Sequence, residues 1–256
     1  MRTTRLARAL TVALAVTATA AGCAAGSVPA QDEPTPTVSA ADPQSAHLAW
    51  EQLTPDTLVP RLSEAMLTAR SLTWTTRAAG VENVVDVDLV RSNNRVTTTV
   101  AGGPVEVRSV DGRRYVKATG TRGKYYDDTQ GDAGLPAVAA SVDPVRPVRA
   151  LYGAVIAVRP AGDLGVVAGV PAQAYDVVVA TSRLTDGLGD LSGGVPREQL
   201  PATVTLTFWV DQQNRLLQAT SDVGGAPVEM TFTNWGADLG ITAPTEQELT
   251  NVLWKS

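Results

Sequence analysis

The stretch VENVVDVDLVR, residues 81–91, alternates apolar residues with aspartates. Val85 and Val87 fall on one side of an extended chain, and Asp86 and Asp88 fall on the other. This period of two predicts a β-strand that shows one face to a core and the other to water. Neighbouring runs have the same period: SLTWTTRA (71–78), NRVTTTVA (94–101), PVEVRSVDG (104–112) and RRYVKAT (113–119).

Short turns join these runs. Asp111-Gly112 lies between two valine-containing runs and is a strong signal for a tight hairpin. Strands separated by turns of two to four residues predict an antiparallel meander, because parallel strands need long crossovers.

The alternating pattern returns further along the chain. It is found in LGVVAGV (164–170), AQAYDVVVAT (172–181), ATVTLTFWVD (202–211), RLLQATSDV (215–223) and APVEMTFTNW (226–235). Leu206 and Phe208 face one way and Trp209 faces the other. Met230 and Phe232 likewise share a face.

Two segments have a helical period instead. In residues 56–70, Leu58, Leu62 and Met66 lie on one stripe. A start at Thr57 is predicted there, because Pro60 then falls within the first turn.

Residues 143–158 predict a second helix. Its apolar face carries Val148, Leu151, Tyr152 and Val155, with Pro144 and Pro147 in the first turn. The predicted fold class is α+β: one long, strongly curved antiparallel sheet of about 10–11 strands over a few helices.

The N-terminus has the layout of an export signal. Three arginines, Arg2, Arg5 and Arg8, precede an apolar run at 9–16. That run is far shorter than the roughly 20 residues of a membrane-spanning helix.

The one cysteine of the chain, Cys23, follows Ala20-Ala21-Gly22, which resembles the lipobox of bacterial lipoproteins. This resemblance implies removal of residues 1–22 as a signal peptide. It also implies a covalent diacylglycerol, an N-acyl chain and palmitate-type anchoring on Cys23. No other cofactor is expected.

Residues 23–47 are predicted to be the lipidated cysteine followed by a disordered tether, since they contain four prolines and few large apolar residues. Residues 48–256 are predicted to form a single domain. Loss of the three N-terminal arginines takes the net charge from −5 to −8. An acidic chain without a basic patch argues against nucleic acid as a partner.

No catalytic or metal site is predicted. The single histidine, His47, excludes a histidine-based triad and a multi-histidine metal site. Asp86 and Asp88 are interpreted as a solvated strand face, and Asp127-Asp128 as a turn. The glycine-rich stretch 189–194 lacks the features of a phosphate-binding loop. The protein is therefore not expected to be an enzyme.

The C-terminal third resembles the LppX/LprAFG family of mycobacterial lipoproteins. The residues that carry the resemblance are Trp209-Val210-Asp211, Leu216-Leu217, Asn234-Trp235-Gly236, Ile241 and Ala243-Pro244. The resemblance implies a LolA-like fold, a half-open β-barrel wrapped around helices with a hydrophobic cavity. It further implies binding of acylated lipids or glycolipids and their movement across the cell envelope, alongside a membrane exporter.

The apolar inward-facing residues are the candidate ligand contacts. They are Leu62, Met66, Leu89, Val148, Leu151, Val155, Leu206, Phe208, Met230 and Phe232. The glycine-rich loop 185–201, with Leu188 and Leu191 and a short helix around Arg197–Leu200, is the candidate mouth of the cavity.

The expected protein is a monomer on the extracytoplasmic face of the cell membrane. An alternative stays open: a surface-tethered interaction or accessory module with a filled core. Its partner would dock on the outer face of the sheet, where Trp209 lies.

Overall fold

The computed structural model describes residues 50, 52–100, 103–131, 146–184, 195–223 and 225–251. The predicted signal peptide, Cys23, the predicted tether, Leu188 and Leu191 lie outside these residues, so what is predicted of them stays a prediction. Within the described residues, no helix has both the length and the apolar composition that crossing a membrane requires.

The first helix, α1, spans Pro55–Ala69 and begins earlier than predicted. Its cap is Thr54, whose Oγ1 accepts a hydrogen bond from the Thr57 backbone N–H (3.3 Å), while the Thr57 hydroxyl oxygen accepts one from the Thr54 N–H (2.9 Å). This reciprocal capping, with Pro55 at a position that needs no N–H, sets the start. The predicted start at Thr57 was wrong, and Pro60 lies in the second turn.

The predicted meander is confirmed. Its strands are β1 (Ser71–Ala78), β2 (Val81–Asp88), β3 (Asn93–Val100), β4 (Gly103–Val110) and β5 (Arg113–Ala118), each antiparallel to the next. Asp111 and Gly112 join the last two with φ of 50° and 78°. A two-residue turn with both φ values positive matches the twist of the strands that it joins.

The centre of the chain differs from its prediction. It contains β6 (Tyr125–Asp127), α2 (Arg146–Ala150), β7 (Val155–Pro160), β8 (Gly165–Val167) and β9 (Val170–Ala180). Only the first part of the predicted helix 143–158 is helical among the described residues. Gly153, with φ of 73°, breaks it, and the β-branched run that begins at Val155 is extended. Tyr152 is 70% exposed and does not face the core.

The C-terminal strands are confirmed as β10 (Thr203–Val210), β11 (Leu216–Val223) and β12 (Ala226–Thr233), and β13 (Leu249–Thr250) follows them. A short 3₁₀ helix at Arg197–Gln199 agrees with the predicted one. Three strands, β6, β7 and β13, were not predicted, which brings the number of strands in the described residues to 13.

All the strands belong to one curved sheet that does not close. Its order is β13-β6-β5-β4-β3-β2-β1-β12-β11-β10-β9-β7, with β8 paired to β9. The first and last parts of the domain meet where β1 pairs with β12, with Trp74 opposite Phe232. The pairing of β13 with β6 is parallel, whereas the other pairs are antiparallel. The helix α1 packs on β1, β7 and α2, on the inner face of the sheet.

Candidate functional site

The inner face of the sheet is the candidate site, and most of the predicted ligand contacts lie in its core. Nine of the ten predicted residues are at most 7% exposed and belong to one cluster; Leu89, at the end of the β2–β3 hairpin, is only partly buried against it. The structure therefore brings the predicted set together. Whether these side chains touch a ligand stays a prediction.

One part of the inner face carries large side chains. We call the inner face of β10–β12 the large-residue half; its buried side chains include Leu206, Phe208, Leu216, Met230 and Phe232. The alternation predicted for β10 is confirmed, with Leu206 and Phe208 fully buried. Leu62 and Met66 of α1 belong to the same core cluster.

The apolar side chains of the other part are small. We call the inner face of β2–β5 the valine half; its buried apolar side chains are Val85, Val87, Val96, Val105, Val107, Val116 and Ala118. They are 0–5% exposed. No helix that the structure describes packs on β2–β5 to the extent that α1 packs on β1 and β7. The valine half is thus enclosed without a bulky helical partner among the described residues.

The strand β1 lies between the two halves and carries two residues that the sequence reasoning missed. Trp74 pairs with Phe232 on one side and with Val85 on the other, and Thr76 pairs with Met230 and Asn83. Both are buried. The signal was present in SLTWTTRA, because alternation places Leu72, Trp74 and Thr76 on one face.

The outer face is polar, but Asp86 is not solvated as predicted. Its side chain is 8% exposed, accepts a hydrogen bond from Thr73 Oγ1 at 2.6 Å and is paired with Arg95, whose Nε lies 2.8 Å away. Thr73 also accepts a bond from Asn234 Nδ2 at 3.1 Å. The cross-strand neighbours of Asp86 therefore cover it, and the solvated-face interpretation of this residue was wrong.

The other candidate carboxylates also have structural partners. Asp88 Oδ1 accepts hydrogen bonds from the backbone N–H groups of Val90 and Arg91, at 2.9 and 3.0 Å, and so caps the turn after β2. Asp127 is bonded to Thr129 and Arg113.

Asp127 is the last residue of β6 and its Oδ1 caps the turn that follows, whereas Asp128 is 1% exposed and pairs with Arg114, whose Nη2 lies 2.6 Å away. Within the described residues no group of three or more His, Cys, Asp or Glu could hold a metal ion.

The outer face of β4–β6 has a small core of its own. Val110, Tyr115, Tyr125 and Ile241 are buried together there. Ile241 belongs to the segment after β12, which crosses this face. The Arg108 guanidinium lies over the Tyr125 ring, with its Cζ 4.5 Å from the ring centroid.

Glu106 holds this outer cluster together through two charged or polar neighbours. Burial alone raises the pKa of Glu106, but hydrogen bonds from Tyr125 Oη and Arg108 Nε, both at 2.7 Å, outweigh it, so the pKa lies below its ordinary value. Burial and the bond to Glu106 raise the pKa of Tyr125.

Trp209 faces outward as predicted, but it is half-buried. A Cβ added to Gly165 of β8 would lie 2.5 Å from the Trp209 ring, so the indole packs directly on that backbone. Trp209 is thus part of the packing between β8 and β10.

A separate groove of about 420 Å³ opens between α1 and the β10–β11 turn, next to Trp235.

These features define a class of fold: an open, curved, one-sided antiparallel sheet whose apolar inner face is covered by few helices, the LolA-like arrangement predicted from the sequence. The solved structure of LprF from Mycobacterium bovis shares this fold. It matches with a TM-score of 0.51 and 15% identity, over 74% of this chain and 96% of LprF.

Two further structures are similar. The Mycobacterium tuberculosis lipoprotein LppX matches with a TM-score of 0.46 and 15% identity, over 73% of this chain and 98% of LppX. MucB matches with a TM-score of 0.35 and 20% identity, over 76% of this chain and 61% of MucB. No protein-family model and no curated protein matches the chain significantly. The likeness to LprF establishes the fold, in agreement with the resemblance predicted from the sequence.

Proposed function

We propose that this protein is a membrane-anchored lipoprotein that binds an acylated lipid or glycolipid against the inner face of its sheet and carries it across the cell envelope. The observation that supports this proposal most directly is the valine half, a buried apolar surface without a bulky helical partner among the described residues. An apolar enclosed surface needs only hydrocarbon to complete its packing, which an acyl chain supplies.

The anchor and the location belong to the same proposal. The lipobox-like segment before Cys23 and the fold shared with LprF support an extracytoplasmic, lipid-anchored protein. The chemistry is binding, without a covalent step, and a membrane exporter is the expected partner. The burial of Trp209 against β8 weakens the alternative reading in which a partner docks on that tryptophan.

The test is native mass spectrometry on the full chain carrying Cys23→Ser, purified from a lipid-rich actinobacterial host. We expect a fraction of the protein to carry extra mass of lipid size. Val107→Phe should remove this mass, because the larger ring would extend into the region where the acyl chain is proposed to lie. The matched control is Val178→Phe, on the outward side of β9, which should keep the lipid. Bare protein in the unsubstituted chain, with an intact fold, would contradict the carrier function.

A further inference from the structure

Two buried polar atoms on the inner face of β1 lack a hydrogen-bond partner. They are the indole Nε1 of Trp74 and the hydroxyl Oγ1 of Thr76; neither has a partner among the described residues. The side chains are 6% and 5% exposed, so water does not reach them freely. They stand two residues apart on one strand and therefore on one face, about 7 Å apart along the chain.

Such atoms are rare in folded proteins because a buried donor without a partner destabilises the fold. A valine in place of Thr76 would have the same shape and none of this penalty. On the neighbouring strands the polar side chains of the same face differ: the Thr98 hydroxyl donates to Asn83 Oδ1, whereas Asn94 Oδ1 of β3 also lacks a partner among the described residues. On β1 two such atoms stand at successive inward positions, and both can donate a hydrogen bond, whereas Asn94 Oδ1 can only accept one.

The position of the two atoms is informative. Trp74 pairs across the sheet with Phe232 of the large-residue half and with Val85 of the valine half. Thr76 pairs with Met230 on the first side and Asn83 on the second. The two donors therefore lie on the boundary between the two halves, beside the surface over which the proposed function places acyl chains.

The chemistry of the two groups selects their ligand. An indole N–H can only donate a hydrogen bond, and a threonine hydroxyl can donate or accept. Hydrocarbon offers neither group an acceptor, whereas the carbonyl oxygen of an acyl ester can accept from either. We propose that Trp74 Nε1 and Thr76 Oγ1 hydrogen-bond acyl ester carbonyls of the bound lipid, one each, with its chains over the valine half.

This inference rests on the proposed function and adds to it the part of the lipid that is recognised. It makes the carrier selective for ester-linked acyl chains over ether-linked alkyl chains of equal length. A single net hydrogen bond corresponds to roughly a two- to tenfold difference in affinity. Two bonds therefore predict an ester preference of about tenfold.

The experiment compares two probes that differ in the carbonyl: dipalmitoyl phosphatidylglycerol and its ether-linked dihexadecyl analogue. Binding to the full chain carrying Cys23→Ser is measured by displacement of a fluorescent fatty acid. The variants are Trp74→Phe and Thr76→Val. The control is Thr75→Val, a matched substitution on the outward side of the same strand, where the hydroxyl does not face the interior.

We expect the unsubstituted chain and Thr75→Val to bind the ester probe about tenfold more tightly, and each of the other variants to lose roughly two- to tenfold of that preference. Thermal unfolding of the lipid-free proteins checks the premise: Thr76→Val should unfold at the same or a higher temperature, because it removes an unsatisfied hydroxyl.

Equal binding of both probes by the unsubstituted chain, or an ester preference that survives both substitutions, would overturn this inference and leave the carrier function intact. A clearly lower unfolding temperature for Thr76→Val would also overturn it, since the hydroxyl would then have a partner in the free protein. Failure of both probes to bind would instead overturn the carrier function, and the inference with it.

Discussion

The two halves of the inner face are equally buried but are built from side chains of different size. The large-residue half contains Phe208, Met230 and Phe232, whereas no apolar side chain buried in the valine half exceeds valine. A strand face lined with valines is shallower than one lined with Phe, Leu and Met. Burial alone does not say which atoms cover a surface, and this difference in side-chain size is the reason why we propose that the lipid lies over β2–β5.

The largest expected contrast comes from truncating one residue in each half. Phe208→Ala should lower the free energy of unfolding by about 3–5 kcal/mol, because it leaves a large cavity in a packed core. Val107→Ala should cost only about 1–2 kcal/mol, the transfer energy of the methyl groups that are lost. Both residues are fully buried, so exposure does not explain the difference.

Urea unfolding of the lipid-free proteins measures this contrast. A loss above about 3 kcal/mol for Val107→Ala would show that the valine half is as tightly packed as its counterpart. The reading of the two halves would then be wrong.

The second contrast enlarges one alanine in each half by the same amount. Ala219→Leu on β11 should cost about 1–3 kcal/mol, because extra methylenes in a packed core force their neighbours off their preferred rotamers. Ala118→Leu on β5 should cost less than about 1 kcal/mol and should reduce lipid retention. Both alanines are buried on the inner face, at 0% and 5% exposure.

Thermal unfolding and native mass spectrometry on the same samples give both results. If the two variants lose equal stability, or if Ala118→Leu retains lipid as well as the unsubstituted chain, the valine half offers no more room than the large-residue half.

The third contrast compares two carboxylates on the outer face of β2. Asp86→Asn should destabilise the fold by about 1–2 kcal/mol, because it weakens bonds to Thr73 and Arg95 in a buried setting. Glu82→Gln should cost about 0–1 kcal/mol, since the Glu82–Arg77 pair is more than half exposed. Neither variant should change lipid retention, which would confine binding to the inner face.

Much of the sheet could be predicted because its strands are long and alternate strictly. The runs of β1–β5 and β10–β12 have a period of two, and Asp111-Gly112 has the chemistry of its turn. By contrast, β6 and β13 have three residues and two, which is too short for a period to show. In residues 143–158 the valines fit a helical spacing as well as an extended one. The positive φ of Gly153 ends the helical part, and the chain from Val155 onward is extended.

The site was less predictable because neighbours across a sheet are distant in the sequence. Alternation places Asp86 on the outer face, but only the register Thr73↔Asp86↔Arg95 shows that it is covered. Trp74 and Thr76 were visible as inward-facing residues of β1. Their lack of partners depends on what surrounds them in three dimensions, so no pattern in one strand could indicate it.

The smallest expected effect is a pH dependence of stability that comes from the outer cluster of β4–β6 and not from the inner core. Since the pKa of Glu106 in the folded protein lies below its ordinary value, its contribution to stability is present above the unfolded pKa of about 4.3 and is lost as the pH falls through the folded pKa. In Glu106→Gln the free energy of unfolding should therefore fall less steeply as the pH is lowered. Thermal unfolding between pH 3 and 7 measures this, with Glu82→Gln as the exposed control.

Tyr125→Phe extends the same test. It removes a hydrogen bond that lowers the pKa of Glu106, so it should shift the acid loss of stability to a higher pH. Lipid retention should not change in either variant, because Glu106 and Tyr125 lie under the C-terminal segment on the outer face. An acid limb that is identical in the unsubstituted chain and Glu106→Gln would show that this carboxylate does not couple protonation to folding. Loss of lipid in these variants would place the outer cluster within the binding site and remove the division between the two faces.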